Sequence, residues 1–134
     1  MKLLMITGLG SAKDLASGRK GAFWNTLEEF RNHWDRIDII SPAISSKENT
    51  VFQPFKDNKV FVHILTKPFP GWPQVIWRFR DYVKCFVEKA LEIHNINEKI
   101  DLLTVQDYPP FYNGFLAWVL LKKIKIPYVS EIHH

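Results

Sequence analysis

Cysteine is almost missing from this chain. Cys85 is the single one in 134 residues, which excludes a disulfide framework and a cysteine-built zinc cluster. So sparse a usage makes a reducing, cytoplasmic compartment the expectation. No run of about 18 apolar residues occurs, so no segment can form a spanning helix. Met1-Lys2-Leu3-Leu4-Met5-Ile6 has the start of a signal peptide, but the run breaks at Thr7-Gly8, too early for a signal core. Charge is not concentrated either. Eighteen Lys and Arg face fourteen Asp and Glu, a net charge of +4, and the basic residues are scattered. That pattern argues against nucleic acid as a partner and suits smaller anions such as nucleotide phosphates or lipid headgroups. No aromatic-basic motif of the RNA-recognition type is present. Internal repeats and low-complexity tracts are also lacking, so one domain without an internal linker is expected.

What the chain does have is apolar and aromatic content. Apolar residues make up 46% and aromatics 14%, too much for a disordered segment. The length is enough to bury a core. Lys2 to Thr7 is a nearly continuous apolar run ending in Gly8-Leu9-Gly10, the pattern of a strand buried on both faces. Phe23, Leu27, Phe30 and Trp34 fall on one stripe of a helix beginning near Gly21. Ile37 to Ile40 reads as a second strand, closed by Ser41-Pro42. Ala43 to Asn58 reads as irregular, and Lys59 to Leu65 as a third strand. After the breaker-rich Pro68-Phe69-Pro70-Gly71-Trp72-Pro73 comes the longest helix, about Gln74 to His94. Its stripe is Val75, Ile76, Phe79, Val83, Phe86, Val87, Ala90 and Leu91. Asp101 to Gln106 is a fourth strand, Phe111 to Lys123 a helix, and Ile126 to Ile132 a fifth strand. Gly114 interrupts that last helix, which signals close packing against a neighbour.

Strands alternating with helices predict an α/β fold, a doubly wound parallel Rossmann-like sheet with strand order 3-2-1-4-5. Ligands of such sheets bind at the carboxyl ends of the strands. The sequence stops at His133 and His134, on the tip of its fifth strand. It therefore ends inside an expected site, and a fragment of a larger protein is predicted.

Each candidate motif has a plainer reading beside it. Gly8-Leu9-Gly10 lacks the third glycine of a dinucleotide fingerprint, because position 13 is Lys13, and no Gly-Lys-Ser/Thr follows to make a P-loop. It is otherwise a flexible loop at the site's edge. Gly18-Arg19-Lys20-Gly21 precedes the first helix, where backbone amides can hold an anion; an ordinary helix entrance with solvated charges is the alternative. His133 and His134 can hydrogen-bond a sugar hydroxyl or a phosphate, or they are a surface pair or a cloning remnant. Asp107 borders the ligand crevice or simply caps the next helix, with Pro109 or Pro110 in its first turn. His33, His63 and His94 show no metal-ligand spacing and read as structural or surface residues. Trp77, Arg78, Arg80 and Lys84 surround the apolar stripe of the long helix. Core packing explains the stripe, with a peripheral membrane contact as the second reading.

Three of these segments resemble the amino-terminal domain of GT-B glycosyltransferases of the type called family 4 or group 1. Val105-Gln106-Asp107-Tyr108-Pro109-Pro110-Phe111-Tyr112-Asn113-Gly114 is similar to that family's Gln-Asp-Pro followed by a helix with an early glycine. Lys125-Ile126-Pro127-Tyr128-Val129-Ser130-Glu131-Ile132-His133-His134 resembles a strand that begins Ile-Pro and ends in histidine. Ser17-Gly18-Arg19 stands where a Gly-Gly pair is common. The resemblance implies that His133 takes the place of the active-site histidine and Gly18 that of the loop glycine near the donor phosphates. Arg19 replaces the second glycine and His134 the usual acidic neighbour. It further implies a two-domain, metal-free, retaining transfer from a nucleotide-sugar donor to a sugar or lipid acceptor. This chain would be the partial acceptor-side domain, inactive alone, with the donor-binding domain absent. A cytoplasmic location, peripheral to the inner face of the membrane, goes with that reading. The competing reading is a non-catalytic flavodoxin-like binding or regulatory module. A receiver domain is disfavoured, because no acidic cluster follows the first strand. A nucleotide-sugar epimerase or dehydrogenase is disfavoured by Lys13.

Overall fold

The computed structural model describes residues 1–7, 15, 18, 20–42, 50–65, 79–96, 99–107 and 112–132. In chain order the elements are β1 (Lys2–Ile6), α1 (Ala22–Phe30), β2 (Arg36–Pro42), β3 (Thr50–Phe52), β4 (Val60–Leu65), α2 (Phe79–Ile96), β5 (Leu102–Asp107), α3 (Tyr112–Ile124) and β6 (Tyr128–Ile132). They build one sheet in the order β3-β4-β2-β1-β5-β6. The pairs β4-β2, β2-β1, β1-β5 and β5-β6 are all parallel. The five strands expected from sequence therefore stand in the expected order 3-2-1-4-5.

One expectation is corrected. Thr50–Phe52, inside the segment read as irregular, forms β3 and pairs antiparallel with β4 at the sheet edge. Three residues are too few for an alternation to be legible. Thr50 and Val51 are exposed, so no buried pattern marks them. A short strand of this kind covers one edge of β4 and limits pairing with other chains.

β1 is central, and Leu3, Leu4, Met5 and Ile6 are all buried. Its alternate side chains feed two cores, one on each face of the sheet. Leu3 and Met5 join Ile37, Ile39, Val60, Val62 and Leu27 of α1, with Phe23, Phe30 and Trp34 packed against them. Leu4 and Ile6 join Ile40, Leu103 and Val105 beneath α2 and α3. α1 begins at Gly21, which is extended (φ −97°, ψ −166°), and its first turn closes with Asn25 N–H donating to the Gly21 carbonyl at 3.1 Å.

On α2, Phe86, Val87 and Ala90 are buried as their spacing predicts, but so are Tyr82 and Ile93. The apolar arc is wider than one stripe because α2 meets α3 as well as the sheet. Phe86 is fully buried and stacks on Tyr82 with ring centroids 4.5 Å apart. Burial of this kind is where the stability resides; truncating such a Phe costs about 3–5 kcal/mol. α3 ends with Lys125 in the left-handed region (φ +54°), its N–H donating to the Leu121 carbonyl at 2.9 Å. That conformation stops the helix one residue before Ile126-Pro127 opens the path to β6.

Candidate functional site

The crossovers fix where a ligand can sit. From β1 the chain passes through α1 to β2 on one side; from β5 it passes through α3 to β6 on the other. α1 lies on one face of the sheet and α3 on the opposite face. The direction of winding thus reverses between β1 and β5, and in an open α/β sheet that is where ligands bind, at the carboxyl ends of the strands. β1 leads into Thr7, whose N–H donates to the Ile40 carbonyl at 3.1 Å. β2 ends at Ser41-Pro42, β5 at Asp107 and β6 at Ile132. Ile6 is in register with both Ile40 and Val105, and Asp107 with Ile132.

Polar groups gather at this edge. Thr7 and Ser41 are fully buried, and Thr7 Oγ1 has no hydrogen-bond partner among the described residues. Asn113, in the first turn of α3, is also buried. Its Nδ2 donates to the Gln106 carbonyl at 2.8 Å, and its Oδ1 accepts from the Tyr82 hydroxyl at 2.6 Å. One amide therefore ties the end of β5 to the starts of both α2 and α3. The amino terminus of α3 also brings the positive end of its dipole to this edge.

Of the residues singled out in the sequence, Gly18 lies in a turn with φ +71°, and its N–H donates to the Leu15 carbonyl at 3.2 Å. Leu15 is buried in the α1-side core, which anchors the turn. Gly18 itself is exposed, and a Cβ built there meets nothing within 4 Å. Only glycine adopts that φ without cost, and the space beside it is open. Because α1 runs antiparallel to the strands it joins, its start and Gly18 lie toward the carboxyl edge. Asp107 is the last residue of β5, beside the last residue of β6; its side chain lies outside the described residues. Arg19, His133 and His134 lie outside them too, as do Trp77 and Arg78. Arg80 and Lys84 are exposed on α2.

Sequence reasoning did not single out Thr7, Tyr82 or Asn113. Thr7 was visible only as the polar end of an apolar run. Nor did it single out a buried ionic cluster lower in the sheet. Asp38, 3% exposed, receives a fork from Arg36, with Nε at 2.8 Å from Oδ2 and Nη2 at 3.1 Å from Oδ1. His63 Nε2 stands 2.8 Å from Asp38 Oδ1. A carboxylate accepts, so the imidazole proton is on Nε2. Burial alone pushes the Asp38 carboxyl up. The hydrogen bonds from His63 and Arg36, with the charges of both, outweigh burial and hold it below the ordinary carboxylate range. The Arg36 guanidinium also lies over the Phe61 ring, 3.8 Å from its centroid. His94 is structural as well, its Nδ1 accepting from the Ile100 N–H at 3.2 Å. No group of three or more His, Cys, Asp or Glu able to hold a metal ion occurs among the described residues. No described helix is long and apolar enough to cross a membrane.

The fold has a counterpart among solved structures. A chain of sucrose-phosphate synthase from Thermosynechococcus elongatus superposes with a TM-score of 0.65, at 11% identity, over 100% of this chain. The two chains share an α/β fold. The chain spans 64% of the length of that neighbour. At such identity the likeness establishes the fold and nothing finer. No protein-family model matches the sequence, and no curated protein does.

Proposed function

We propose that this chain is the acceptor-side, amino-terminal part of a retaining GT-B glycosyltransferase. It would move a sugar from a nucleotide-sugar donor to a glycan, lipid or small-molecule acceptor, with a second domain holding the donor. One observation carries the reading. Two of the three segments that resemble the family motifs pass through adjacent strand tips, Gln106-Asp107 on β5 and Glu131-Ile132 on β6, with Asp107 in register with Ile132. Both tips lie at the carboxyl edge, where an open α/β sheet binds its ligand.

In this reading His133, the next residue after β6, orients the transferred sugar by hydrogen bonding. The open left-handed turn at Gly18 leaves room for the donor phosphates, with Arg19 adding positive charge. Asp107 and His134 border the acceptor. The bond between the anomeric carbon and the phosphate oxygen breaks, and the nucleoside diphosphate leaves with its electron pair. The acceptor oxygen bonds to that carbon on the same face and passes its proton to the departing phosphate oxygen. Charge developing on the departing phosphate needs fixed electrostatic partners; the positive dipole end of α3 and the Arg19 charge beside the Gly18 turn are this chain's contribution. No metal ion has a step in this scheme, which is assigned to the cytoplasm.

The test is nucleoside diphosphate release by the full-length polypeptide containing this chain, assayed against a panel of nucleotide sugars with and without acceptors. Acceptor-dependent release with one donor, yielding a product of retained anomeric configuration, is expected. Release from no donor, or an inverted product, would overturn the reading.

A further inference from the structure

We propose that the outer face of α3 docks on an anionic lipid surface. α3 buries Asn113, Leu116, Ala117 and Leu120 toward the sheet. Its opposite face should then be polar, and it is not. Phe115 is 43% exposed, Trp118 44% and Leu121 36%. They recur at the spacing that places side chains on one side of a helix. The two rings touch, with centroids 5.7 Å apart. Trp and Phe on the exposed side of a helix match the side chains that enter the headgroup region of a bilayer.

The charge along α3 and the turn after it has one sign. Lys122, Lys123 and Lys125 follow the aromatic patch at the carboxyl end of the helix, and all are exposed. Lys122 Nζ lies 4.1 Å from the centroid of the Trp118 ring, so the cation and the aromatic face share one surface. From Tyr112 to Ser130 no residue is acidic. A second copy docked here would bring both sets of lysines into one interface with no carboxylate in this segment to answer them. An anionic bilayer meets both features at once, apolar depth for the rings and phosphates for the lysines. The neighbouring α2 differs. Its exposed Arg80, Asp81, Lys84 and Glu88 alternate in sign, a solvated face rather than a lipid-facing one. This contact is distinct from the one suggested by the sequence at Trp77, Arg78, Arg80 and Lys84, of which Trp77 and Arg78 lie outside the described residues. It stands independently of the transferase reading.

The experiment is co-sedimentation of the 134-residue chain with vesicles of phosphatidylcholine alone, or of phosphatidylcholine with phosphatidylglycerol, at low and physiological salt. Binding to the anionic vesicles, weakened by salt, is expected, with little binding to the neutral ones. Lys122→Gln and Lys123→Gln should each lower partitioning roughly fivefold. Trp118→Ser should lower it about tenfold or more. Trp118→Phe keeps the apolar volume and guards against a folding defect; it should retain binding yet remove most of the tryptophan quenching by brominated lipid. No binding to anionic vesicles at low salt would overturn the proposal. So would equal loss on Arg80→Gln with Lys84→Gln, which would assign the contact to α2. Sedimentation showing a dimer that Trp118→Ser dissociates would assign the face to a second copy instead.

Discussion

Asp38 and His63 meet at 2.8 Å across β2 and β4, both within the buried middle of the sheet. Asp38 lies one position from Ile40 on its own face, and Ile40 is in register with His63. The pair therefore exists only because the two strands are parallel and in this register. A shift of one residue would send both side chains to opposite faces. Breaking such a pair is costly, because the remaining partner loses its compensation.

Asp38→Ala should destabilise the chain by about 2–4 kcal/mol, less than the removal of a fully enclosed ion pair, because Arg36 keeps some contact with water. Urea denaturation followed by far-UV circular dichroism checks it. The double substitution Asp38→Leu with His63→Leu should recover part of the loss, since it removes the unpaired buried imidazole and leaves only Arg36, which keeps contact with water. A double variant as unstable as the sum of its parts would show that the two residues do not act as a pair.

The Asp38 carboxyl is held below its ordinary value by the His63 and Arg36 hydrogen bonds, against the opposing effect of burial. A carboxylate with a depressed folded value adds stability that is present above the unfolded value, near 3.9, and lost as pH falls through the folded one. Thermal midpoints should fall on acidification below about pH 4. Asp38→Asn should be less stable at neutral pH and lose part of that acid dependence. An unchanged acid slope in Asp38→Asn would assign the dependence to other carboxylates.

Asn113→Ala removes the bonds to the Gln106 carbonyl and the Tyr82 hydroxyl together. A loss of about 1–3 kcal/mol is expected, the range for uncovering buried polar partners. The amide resonances of Gln106 and Asp107 should move, because Asn113 fixes the end of β5. If only resonances within α3 moved, the amide would not be what joins the helix start to the strand tip.

For the proposed transferase, His133→Ala in the full-length protein should lower turnover by roughly 10²-fold or more, the scale of one positioned polar group. His134→Ala should cost less, since the resemblance gives the sugar contact to His133 alone. Thermal midpoints should stay close to the parent's in both. Undiminished turnover in a folded His133→Ala protein would remove this residue from the site.

Much of the fold was legible because its signal is periodic. The run Leu3 to Ile6, the stripe through Leu27 and the apolar strand beginning at Val60 are local patterns, and right-handed crossovers then leave one strand order. β3 was not legible, because three residues at an edge carry no buried alternation. The burial of Tyr82 and Ile93 was hidden for a different reason, since it depends on α3 arriving beside α2.

The site divides in the same way. Composition and order determined an open parallel α/β sheet, and with it the edge where ligands gather; Gly18 and Asp107 were placed along the chain by their motifs. Tertiary structure alone decided which polar groups meet. Asp38 with His63, and Asn113 with Tyr82 and Gln106, are 25, 31 and 7 residues apart in the chain. A single polar residue in an apolar run is costly until the fold supplies its partner. The identity of that partner is fixed by register and helix packing, which no local pattern encodes.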